Sequence, residues 1–570
     1  MIKKAYRLLN TLKYLKLKQL AFFIIRRKFS AKAISITHQC SINSALALSP
    51  PIAVNNRLLA SGYIEFLNYQ RAFDLDNIQW CPQEVSRLWR YNLHYFDYLR
   101  DNSFDTEKQQ TILNSWVSLN PQNSQPGWEP FTCSLRIVNW IFYLNKNTSL
   151  ASKPIIDSLY LQALWLERND EKHILANHYF ENIKALLFAG CFFRNQNSTD
   201  KNSARWLRIA KQEIIQQLNE QTLKDGGHYE RSPQYHCLML ENYLDIYNLI
   251  HNNSSLFDDD FIELLKRVSI SGLDFINEIV FPDKNIPLFN DSAFDVAPSV
   301  AALNQYANEL FDYQYHNDNQ VRLIEMHDSG LYGMSGCNDM LLMDCGDIGP
   351  SYQPGHTHCD FLSYELMLAN KRLVVDTGVF EYEPGELRHH VRSTHAHNTV
   401  SINGDEQSEI WGEFRVARRA KKHYGHVQAE GDNIKISGAF SGFYGKTWGW
   451  KPRFKHQRDI NVKLVKDAVE SIEVVDTLTG KGEHDAESYA ESYVHIHPDF
   501  VLKSIDDKTI KIFFDDVLFA MLEMNSDCRY RIEKTIYCPE FGLKHDIDCI
   551  VIYRQGLMPL NLGYRIQRFI

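Results

Sequence analysis

The chain has 570 residues, of which 44% are hydrophobic and 23% are charged, a composition typical of a soluble globular protein. This excludes a disordered or collagen-like chain, and the length predicts roughly two to four domains. The 61 basic and 70 acidic side chains leave a net charge of −9, which argues against a nucleic-acid-binding protein. The 11 cysteines are scattered and include no C-x-x-C pair, so we expect free thiols rather than a disulfide framework.

Residues 1–64 form a basic segment that contains no Asp or Glu. Nine Lys and Arg side chains lie between positions 3 and 28, interleaved with Leu, Tyr and Phe. This pattern predicts peripheral contact with an anionic membrane, although an unusual export signal or a solvated helix would show the same composition. A cleavable signal peptide is not evident, and no apolar run approaches the roughly 20 residues of a membrane span. We therefore expect a cell-envelope protein, in the periplasm or at the cytoplasmic face of the membrane.

Residues 65–320 predict a helical domain. Five segments in this range carry apolar residues at helical spacing, namely 88–99, 135–144, 155–166, 176–193 and 235–250. Polar or Pro/Gly stretches separate these segments, so we expect antiparallel helices joined by short links.

Residues 321–570 predict an antiparallel β-sandwich domain. After Gly330 the helical pattern gives way to short, alternating, β-branched runs such as 362–368, 460–465 and 469–475. Because no helical segments intervene, the pattern favours an α+β multidomain chain over an alternating α/β fold. The change of pattern puts the domain boundary near residues 316–328.

Three groups of polar residues could supply chemistry, and the first is Asn177, His178 and Glu181. If the segment is helical, Asn177 and Glu181 are four residues apart, and His178 and Glu181 are three apart, so both pairs share a face. An amide, an imidazole and a carboxyl on one face can bind and neutralise a substrate carboxylate. The alternative interpretation is a buried polar cluster that ties helices together.

The second group begins at a predicted helix start. Ser232 has the residue type of an N-cap, and Pro233 has that of a first helical position. Tyr235 would then lie in the first turn, where the helix dipole and nearby Arg231 favour a phenolate. A tyrosine with a lowered pKa suits proton transfer at neutral pH. Packing of the phenol on a neighbouring helix agrees with the spacing equally well.

The third group is rich in histidine. In extended backbone His356 and His358 face the same side, and Asp376 and His397 follow along the chain. His358, Asp376 and His397 offer two nitrogens and one oxygen, a set that suits zinc with water as the fourth ligand. Hydrogen-bonded core histidines would show the same spacing.

Taken together, these motifs resemble the heparinase II/III-like polysaccharide lyases, a superfamily that includes alginate and oligoalginate lyases. The resemblance covers most of the chain through the motifs Trp128-Glu-Pro-Phe-Thr-Cys-Ser-Leu-Arg136, Asn177-His178, Tyr229-Glu-Arg-Ser-Pro-Gln-Tyr-His236, Pro287-Leu-Phe-Asn-Asp291, Gly355-His-Thr-His-Cys-Asp360, Val375-Asp-Thr-Gly378, His397-Asn-Thr-Val400 and Trp411-Gly-Glu-Phe-Arg415. It implies an incomplete (α/α) toroid followed by an antiparallel β-sandwich. The implied activity is β-elimination at a uronic-acid residue of an acidic polysaccharide.

The resemblance also implies roles for individual residues. Asn177 and His178, together with Glu181, would neutralise the uronate carboxylate. Tyr235 would act as the acid and also as a candidate base, and His356 would be the catalytic histidine from the β domain.

The same resemblance assigns His358, Asp376 and His397 to a structural divalent metal, expected to be zinc, and implies no organic cofactor. The weaker candidates for holding the sugar acid are Trp128, Arg136, Tyr382 and Arg392.

Two other functions fit parts of the pattern. One is a glycoside hydrolase on an α-toroid, with Glu181, Glu230 and Asp291 as candidate carboxylates. The other is a non-catalytic polysaccharide-binding protein of an assembly machine. Because the basic first residues do not look like the export signal of a scavenging lyase, we expect a role in exopolysaccharide or capsule metabolism. The motifs carry no information on oligomeric state.

Overall fold

The computed structural model of the protein has a helical part followed by a β part. It describes residues 2–28, 34, 44–54, 58–59, 62–101, 105–316, 320–336, 338–443, 454–480 and 487–569. Residues 29–33 of the basic segment and residues 317–319 of the expected boundary lie outside the described residues.

The helical part is built from hairpins of buried helices. In chain order the helices are α1 (Ile2–Leu12), α2 (Leu17–Lys28), α3 (Arg87–Tyr95), α4 (Thr106–Leu119), α5 (Pro130–Lys146), α6 (Lys153–Asn169), α7 (Ala176–Gln196), α8 (Lys201–Gln221), α9 (Pro233–Asn252), α10 (Asp259–Ile279), α11 (Val300–Phe311) and α12 (Glu386–Val391). Asp200, Asp258 and Ser299 cap α8, α10 and α11 by accepting a backbone N–H bond. Helix α7 is apolar around most of its circumference, and it is buried against α5, α6, α8 and α9.

Most of the strands lie in the β part, although the first three in chain order precede helix α3. The strands are β1 (Leu58–Leu59), β2 (Tyr63–Phe66), β3 (Tyr69–Ala72), β4 (Arg322–Met326), β5 (Leu331–Gly336), β6 (Asp339–Asp344), β7 (Tyr364–Leu368), β8 (Lys371–Val374), β9 (Val400–Ile402), β10 (Ile410–Trp411), β11 (Arg415–Val416), β12 (Lys421–Glu430), β13 (Asn433–Gly442), β14 (Phe454–Val465), β15 (Ala468–Gly480), β16 (Ser488–Ile496), β17 (Phe500–Ser504), β18 (Thr509–Phe514), β19 (Val517–Met524), β20 (Arg529–Glu540), β21 (Leu543–Gly556) and β22 (Leu560–Arg568).

Two large antiparallel sheets form a sandwich. One sheet has the order β20-β21-β16-β8-β7-β6-β5-β4, with β9 paired to β16, and the other has the order β12-β13-β14-β15-β22-β19-β18-β17. Apolar side chains from both sheets share one buried core, as expected for a sandwich.

The sheet that contains β5 and β6 has an apolar core on each of its faces. On β6, Met340 and Leu342 belong to the core of the helical part, whereas Leu341 and Met343 belong to the core between the sheets. This alternation follows from the two-residue period of a strand. The helical and β parts therefore meet through a continuous packed core.

The predicted helical domain and antiparallel sandwich are confirmed. The prediction did not include the small sheet β1-β2-β3, or helix α12 within the β part. No helix in the described part of the chain is long and apolar enough to cross a membrane.

Candidate active site

Tyr235 lies in the first turn of α9, where the helical part meets the β part. Pro233 is the first residue of α9, and the Oγ of Ser232 accepts a hydrogen bond from the backbone N–H of Tyr235 at 3.2 Å. The same hydroxyl donates to the carbonyl oxygen of Asp291 at 2.6 Å. The predicted helix start is therefore confirmed, and it is tied to the loop that follows α10.

His356 comes from the β part and stacks on Tyr235. The two ring centroids are 3.7 Å apart, and the ring planes are inclined by 27°. Oδ2 of Asp291 lies 2.9 Å from Nδ1 of His356 and accepts its N–H, which leaves a lone pair on Nε2. The His356 side chain is 12% exposed, so the ring reaches solvent. A phenol and an imidazole from different parts of the chain thus meet face to face.

Asp291 is the buried centre of a charged network. Its carboxylate also accepts hydrogen bonds from Nε2 of His358 and from Nη2 of Arg388, each at 2.8 Å. Burial opposes ionisation of Asp291, but Arg388 and the two histidines outweigh it and hold the pKa of the carboxyl well below its usual range. Asp291 is therefore a fixed anion that orients its neighbours.

The phenol of Tyr235 is protonated at neutral pH, because burial raises the pKa of Tyr235. Its hydroxyl lies 3.3 Å from the hydroxyl of Tyr382, and the cation that acts on it is Arg388. Arg231 instead donates to the carbonyl oxygen of Ser329 at 3.3 Å. The expectation that the helix start and Arg231 favour a phenolate is wrong, because desolvation dominates at this buried position.

His178 lies in the first turn of α7 with its side chain 33% exposed. Its Nδ1 is 3.3 Å from Oε1 of Glu171, and its ring packs on Phe131 with centroids 4.5 Å apart. Burial opposes charge on His178, but Glu171 outweighs it and raises the pKa of the imidazole. An imidazolium at this position can pair with a substrate carboxylate.

Asn177 and Glu181 lie on α7 as predicted, but Glu181 is engaged with another helix. Asn177 is mostly buried and directly precedes His178. Oε1 of Glu181 accepts a hydrogen bond from Nδ2 of Asn242 on α9 at 2.6 Å, and burial raises the pKa of Glu181. This geometry supports the buried-cluster interpretation for Glu181, although its Oε2 has no hydrogen-bond partner among the described residues.

The backbone is strained where these groups are presented. Leu175 and Ala176 have φ values of 68° and 54° immediately before Asn177, and Arg231 has a φ of 59° just before the cap of α9. Non-glycine residues rarely adopt this left-handed conformation, which costs about 1 kcal/mol or more per residue. Strain of this kind tends to cluster at functional sites.

Glu230 lies close to His356 and His228, and His178 also acts on its charge. Its Oε1 is 4.0 Å from Nε2 of His356, and its Oε2 is 3.7 Å from Nδ1 of His228. Neither carboxyl oxygen has a hydrogen-bond partner among the described residues. Burial raises the pKa of Glu230, while His356 and His178 act in the opposite direction. Glu230 therefore links His356 of the β part to the segment that precedes α9, and His178 of α7 acts on the same carboxyl group.

Two of the predicted metal ligands lie together, but with a different carboxylate. One ligand atom each from His358, Asp360 and His397 lie within 4.8 Å of one another. Nε2 of His358 is taken by Asp291, and Nδ1 of His397 lies 2.8 Å from Oδ2 of Asp376. The other nitrogen of each histidine is buried without a hydrogen-bond partner among the described residues. This grouping favours Asp360 over the predicted Asp376 as the carboxylate ligand, while Asp376 contacts His397 through Oδ2.

This donor set fits a structural zinc ion. Two imidazole nitrogens and one carboxylate are common zinc ligands, and each imidazole has its other nitrogen held by a carboxylate. Burial lowers the pKa of His358 to about 3, so its imidazole is neutral and able to bind metal. Burial opposes charge on His397, but Asp376 outweighs it and raises the pKa, so protonation competes with metal binding at this imidazole.

Trp128 and Arg136 lie in the core of the helical part rather than in the cleft. Trp128 is buried, and its Nε1 donates to the carbonyl oxygen of Asn120 at 3.0 Å. Arg136 is fully buried, and its Nε donates to Oε1 of Gln162 at 2.9 Å. The prediction that these two residues hold the sugar acid is corrected, because neither presents a surface to a ligand.

Arg392 and Tyr382 have different positions relative to the site. Arg392 is buried, and it donates to the carbonyl oxygens of Thr357 and Glu413 at 3.2 and 2.9 Å, so it braces the segment that carries His356. The prediction of sugar contact by Arg392 is corrected to this supporting role. Tyr382 is half-buried, and its contact with the phenol of Tyr235 places it at the site.

Four residues of the site received no role in the predicted elimination, namely Glu171, Glu230, Asp291 and Arg388. Asp291 stood out within a motif, but only as a candidate carboxylate of a hydrolase. Its partners His356 and Arg388 are 65 and 97 residues away along the chain, so no local pattern indicates the pairing. The one available signal was the position of Arg388 between Asp376 and His397, two of the predicted metal ligands.

The helical part and the antiparallel sandwich thus meet where Tyr235 stacks on His356. A family profile described as "Heparinase II/III N-terminus" matches residues 5–320, and one described as "Heparinase II/III-like, C-terminal" matches residues 319–556. The chain belongs to the heparinase II/III-like family, which confirms the resemblance seen in its motifs.

The curated relatives are distant in sequence. The "Heparin-sulfate lyase" of Pedobacter heparinus is 23% identical over 349 residues, which cover 56% of this chain and 48% of the relative. The protein of the same name from Bacteroides stercoris is 22% identical over 341 residues, covering 54% and 49%. The chain thus spans about half the length of these relatives.

Solved structures support the fold. A crystal structure of heparinase III aligns with a TM-score of 0.66 at 17% identity, over 86% of this chain and 79% of that chain. The heparinase III-BT4657 gene product aligns with a TM-score of 0.59 at 16% identity, over 86% and 80%. These alignments confirm the toroid followed by a β-sandwich.

Proposed function

We propose that this protein is a polysaccharide lyase that cleaves a uronic-acid-containing polysaccharide by β-elimination. The observation that carries the proposal is the stack of Tyr235 on His356, with Asp291 holding the imidazole. A protonated phenol beside an imidazole with a free lone pair is an acid next to a base. Because the two groups come from different parts of the chain, a sugar bound at the junction would contact both.

Elimination requires that the uronate carboxylate be neutralised. The proton at C5 is barely acidic while the neighbouring carboxylate keeps its full charge, so hydrogen-bond donors must stabilise the enolate-like intermediate. The imidazolium of His178 and the amide of Asn177, both in the first turn of α7, supply such donors. Glu171 supports this role, because it raises the pKa of His178 against the effect of burial and so favours the charged imidazole.

In the proposed reaction, Nε2 of His356 accepts the C5 proton, and the hydroxyl of Tyr235 donates its proton to the glycosidic oxygen at C4. The C5–H electron pair becomes the C4=C5 π bond, and the C4–O pair leaves with the oxygen. One proton is taken up and one is delivered. Transfer of a proton from His356 to Tyr235 through solvent restores the starting state. The raised pKa of Tyr235 supports its role as the acid.

The geometry disfavours a glycoside hydrolase. Such an enzyme needs two carboxyl groups that face the sugar. Asp291 is fully buried and held by Arg388 and two histidines, and Glu181 is buried and bonded to Asn242. Glu230 alone does not make a pair.

We further propose that a structural zinc ion is held by His358, Asp360 and His397, with a fourth ligand from solvent. The ion would supply rigidity rather than reaction chemistry. Its support is the pair of buried, unpartnered imidazole nitrogens described above. Because His358 is two residues from His356, this cluster would fix the segment that carries the base.

The proposed setting is the cell envelope, where the protein would act on an exopolysaccharide or capsule polymer. The relatives' names support sulfated, uronate-containing polymers as further substrates to test. The basic first helices, described below, support a location next to a membrane.

The test is to incubate the protein with heparan sulfate, alginate and the host's own exopolysaccharide. We expect a rise in the ultraviolet absorbance of the unsaturated uronate, in step with new reducing ends, on at least one polymer. Reducing ends without that absorbance would establish a hydrolase. Binding without any cleavage on all polymers would establish a non-catalytic binding protein, and either result would overturn the proposal.

A further inference from the structure

Helix α1 is oriented with its polar side toward the protein. Nε of Arg7 lies 2.9 Å from Oε1 of Glu409, and Oγ1 of Thr11 accepts a hydrogen bond from Nε1 of Trp411 at 3.1 Å. Asn10, between them on the helix, is fully buried. A surface helix of a globular protein normally buries its apolar stripe and exposes its polar side, so α1 has the reverse orientation.

The apolar side of α1 faces solvent. Leu8, Leu9 and Leu12 are 46%, 62% and 38% exposed. These residues recur at three- and four-residue intervals, so they form one continuous stripe along the helix. Nothing in the described part of the chain covers this stripe.

Helix α2 repeats the arrangement. Gln19 is buried, and its Nε2 donates to the carbonyl oxygen of Ile174 at 3.3 Å, whereas Leu17 and Phe23 are 84% and 57% exposed. We call the exposed apolar side chains of both helices the outer face, and its members are Leu8, Leu9, Leu12, Leu17, Leu20, Phe23 and Ile24.

The two helices that carry the outer face contain no acidic residue, although Arg7 and Lys16 pair with carboxylates of the protein body. The first 28 residues contain nine Lys and Arg and no Asp or Glu, although the whole chain has a net charge of −9. Lys4 and Lys13 are exposed on α1 and the turn that follows it. An apolar stripe flanked by cations is complementary to a bilayer whose acyl chains lie beneath anionic headgroups.

We propose that the outer face docks on the surface of an anionic lipid bilayer. The leucines and Phe23 would enter the boundary between headgroups and acyl chains, and Lys4 and Lys13 would contact lipid phosphates. A soluble protein partner is a weaker match, because it would have to be both apolar and acidic over the whole face. The inference goes beyond the proposed lyase activity and does not depend on it.

The contacts of α1 and α2 link such docking to the rest of the molecule. Lys16 pairs with Glu220 at the end of α8 in the helical part, while Arg7 pairs with Glu409 in the β part. A membrane-bound helix pair would therefore hold both parts of the protein, and so both sides of the candidate active site, in one orientation to the bilayer.

The test is sedimentation of the full chain with vesicles of phosphatidylcholine, with and without phosphatidylglycerol, in the absence of polysaccharide. We expect binding to the anionic vesicles only. The Leu9→Glu/Phe23→Glu variant should bind at least tenfold more weakly, because it puts two carboxylates into the apolar layer. The matched control Val501→Glu/Leu557→Glu, which changes exposed apolar residues of the β part, should bind like the wild type.

A second variant leaves the apolar residues intact. Lys4→Gln/Lys13→Gln should weaken binding about fivefold per lysine at low salt, and the difference should shrink at high salt. The proposal is overturned if the wild type does not bind anionic vesicles, or if the outer-face and control variants bind equally. The proposal is also overturned if the wild type forms a dimer through this face in the absence of lipid and the dimer does not bind vesicles. None of these results bears on cleavage of soluble polymers.

Discussion

The carboxylate of Asp291 accepts N–H bonds from Nδ1 of His356 and Nε2 of His358, so a single buried anion sets the tautomer of both imidazoles. As a result His356 presents a lone pair at Nε2 near the cleft, and His358 presents one at Nδ1 to the metal cluster. Arg388 keeps this anion ionised. The base and the proposed metal site thus depend on the same side chain.

At the scale of the residue, the pH dependence tests His178. Its imidazolium is the active form in our proposal, so activity should fall as pH rises through its pKa. Glu171 raises that pKa, so the Glu171→Gln variant should lower it, and the alkaline loss of activity should begin at a lower pH. Initial rates measured across pH on one polymer check this, and an unchanged alkaline limb in Glu171→Gln would show that His178 does not act as a cation.

The sequence allowed prediction of Tyr235 and His356, because each stands in a local pattern: a Ser-Pro helix start and a His-x-His stretch. It did not allow prediction of Glu171, Asp291 and Arg388 as their partners, because those contacts join segments far apart in the chain. The phenolate expected at Tyr235 was wrong for a related reason. Dipole effects can be seen in a sequence, whereas the burial that outweighs them depends on the tertiary fold.

Among the secondary-structure elements, the start of α9 has two functions, because Ser232 both caps the helix and binds the Asp291 loop. Oγ of Ser232 accepts from Tyr235 and donates to the Asp291 carbonyl, so it joins the helix to the loop that orients His356. We expect Ser232→Ala to lower the free energy of unfolding by about 1–3 kcal/mol, since a cap and a buried hydrogen bond are both lost.

The matched control is Ser299→Ala at the exposed start of α11, where the side chain only caps the helix, and its cost should be about 1 kcal/mol or less. Denaturant unfolding of both variants gives the comparison. Equal losses would mean that the link from Ser232 to Asp291 contributes nothing to stability.

In the proposed zinc site Asp360 is a direct ligand, whereas Asp376 orients the ligand His397. Asp360→Asn should abolish zinc retention, because it removes a direct carboxylate ligand. Asp376→Asn should weaken zinc binding only about 10–100-fold, since Asp376 orients His397 through Nδ1. Elemental analysis and chelator competition measure both effects. Full zinc retention in Asp360→Asn, or a wild type that folds fully without metal, would contradict this assignment.

The sequence pattern does not show which of two aspartates, Asp360 or Asp376, is the carboxylate ligand of the proposed metal site. Asp360 and Asp376 both stand near a histidine motif, and spacing alone does not distinguish them. In the folded chain both oxygens of Asp376 are engaged, one with His397 and one with the backbone N–H of Gly378, whereas Asp360 faces the two free imidazole nitrogens. The same limitation applies to Arg136 and Trp128, whose burial cannot be read from their residue types.

At the scale of the whole molecule, the sheet that contains β6 is shared by both cores. Leu342 packs with the helical part and Leu341 packs between the two sheets, and both are fully buried. Leu342→Ala and Leu341→Ala should each cost about 2–5 kcal/mol. Because loss of either core exposes one face of the same sheet, we expect a single unfolding transition for the wild type and both variants. Calorimetry checks this, and two transitions of which each variant shifts only one would show independent domains.

The overall architecture was predictable because the period of the apolar residues changes from helical to alternating along the chain. The seam between the two parts was not predictable in the same way. The two-residue period of a strand puts Met340 and Leu341 on opposite faces of β6, but the pattern does not show that each face packs into a different core. The orientation of α1, with its polar side toward the protein, was not predictable either, since an amphipathic pattern does not indicate which side faces the protein.

If Tyr235 and His356 act together on one sugar, the Tyr235→Phe variant should lose activity without losing substrate binding. Tyr247→Phe is the matched control, because Tyr247 is a buried phenol on the same helix whose hydroxyl contacts His251 instead. On a polymer that the wild type cleaves, Tyr235→Phe should lose about a hundredfold or more of the rate of unsaturated-product formation while still binding the polymer. Tyr247→Phe should keep the wild-type rate. An unchanged rate in Tyr235→Phe would contradict the account.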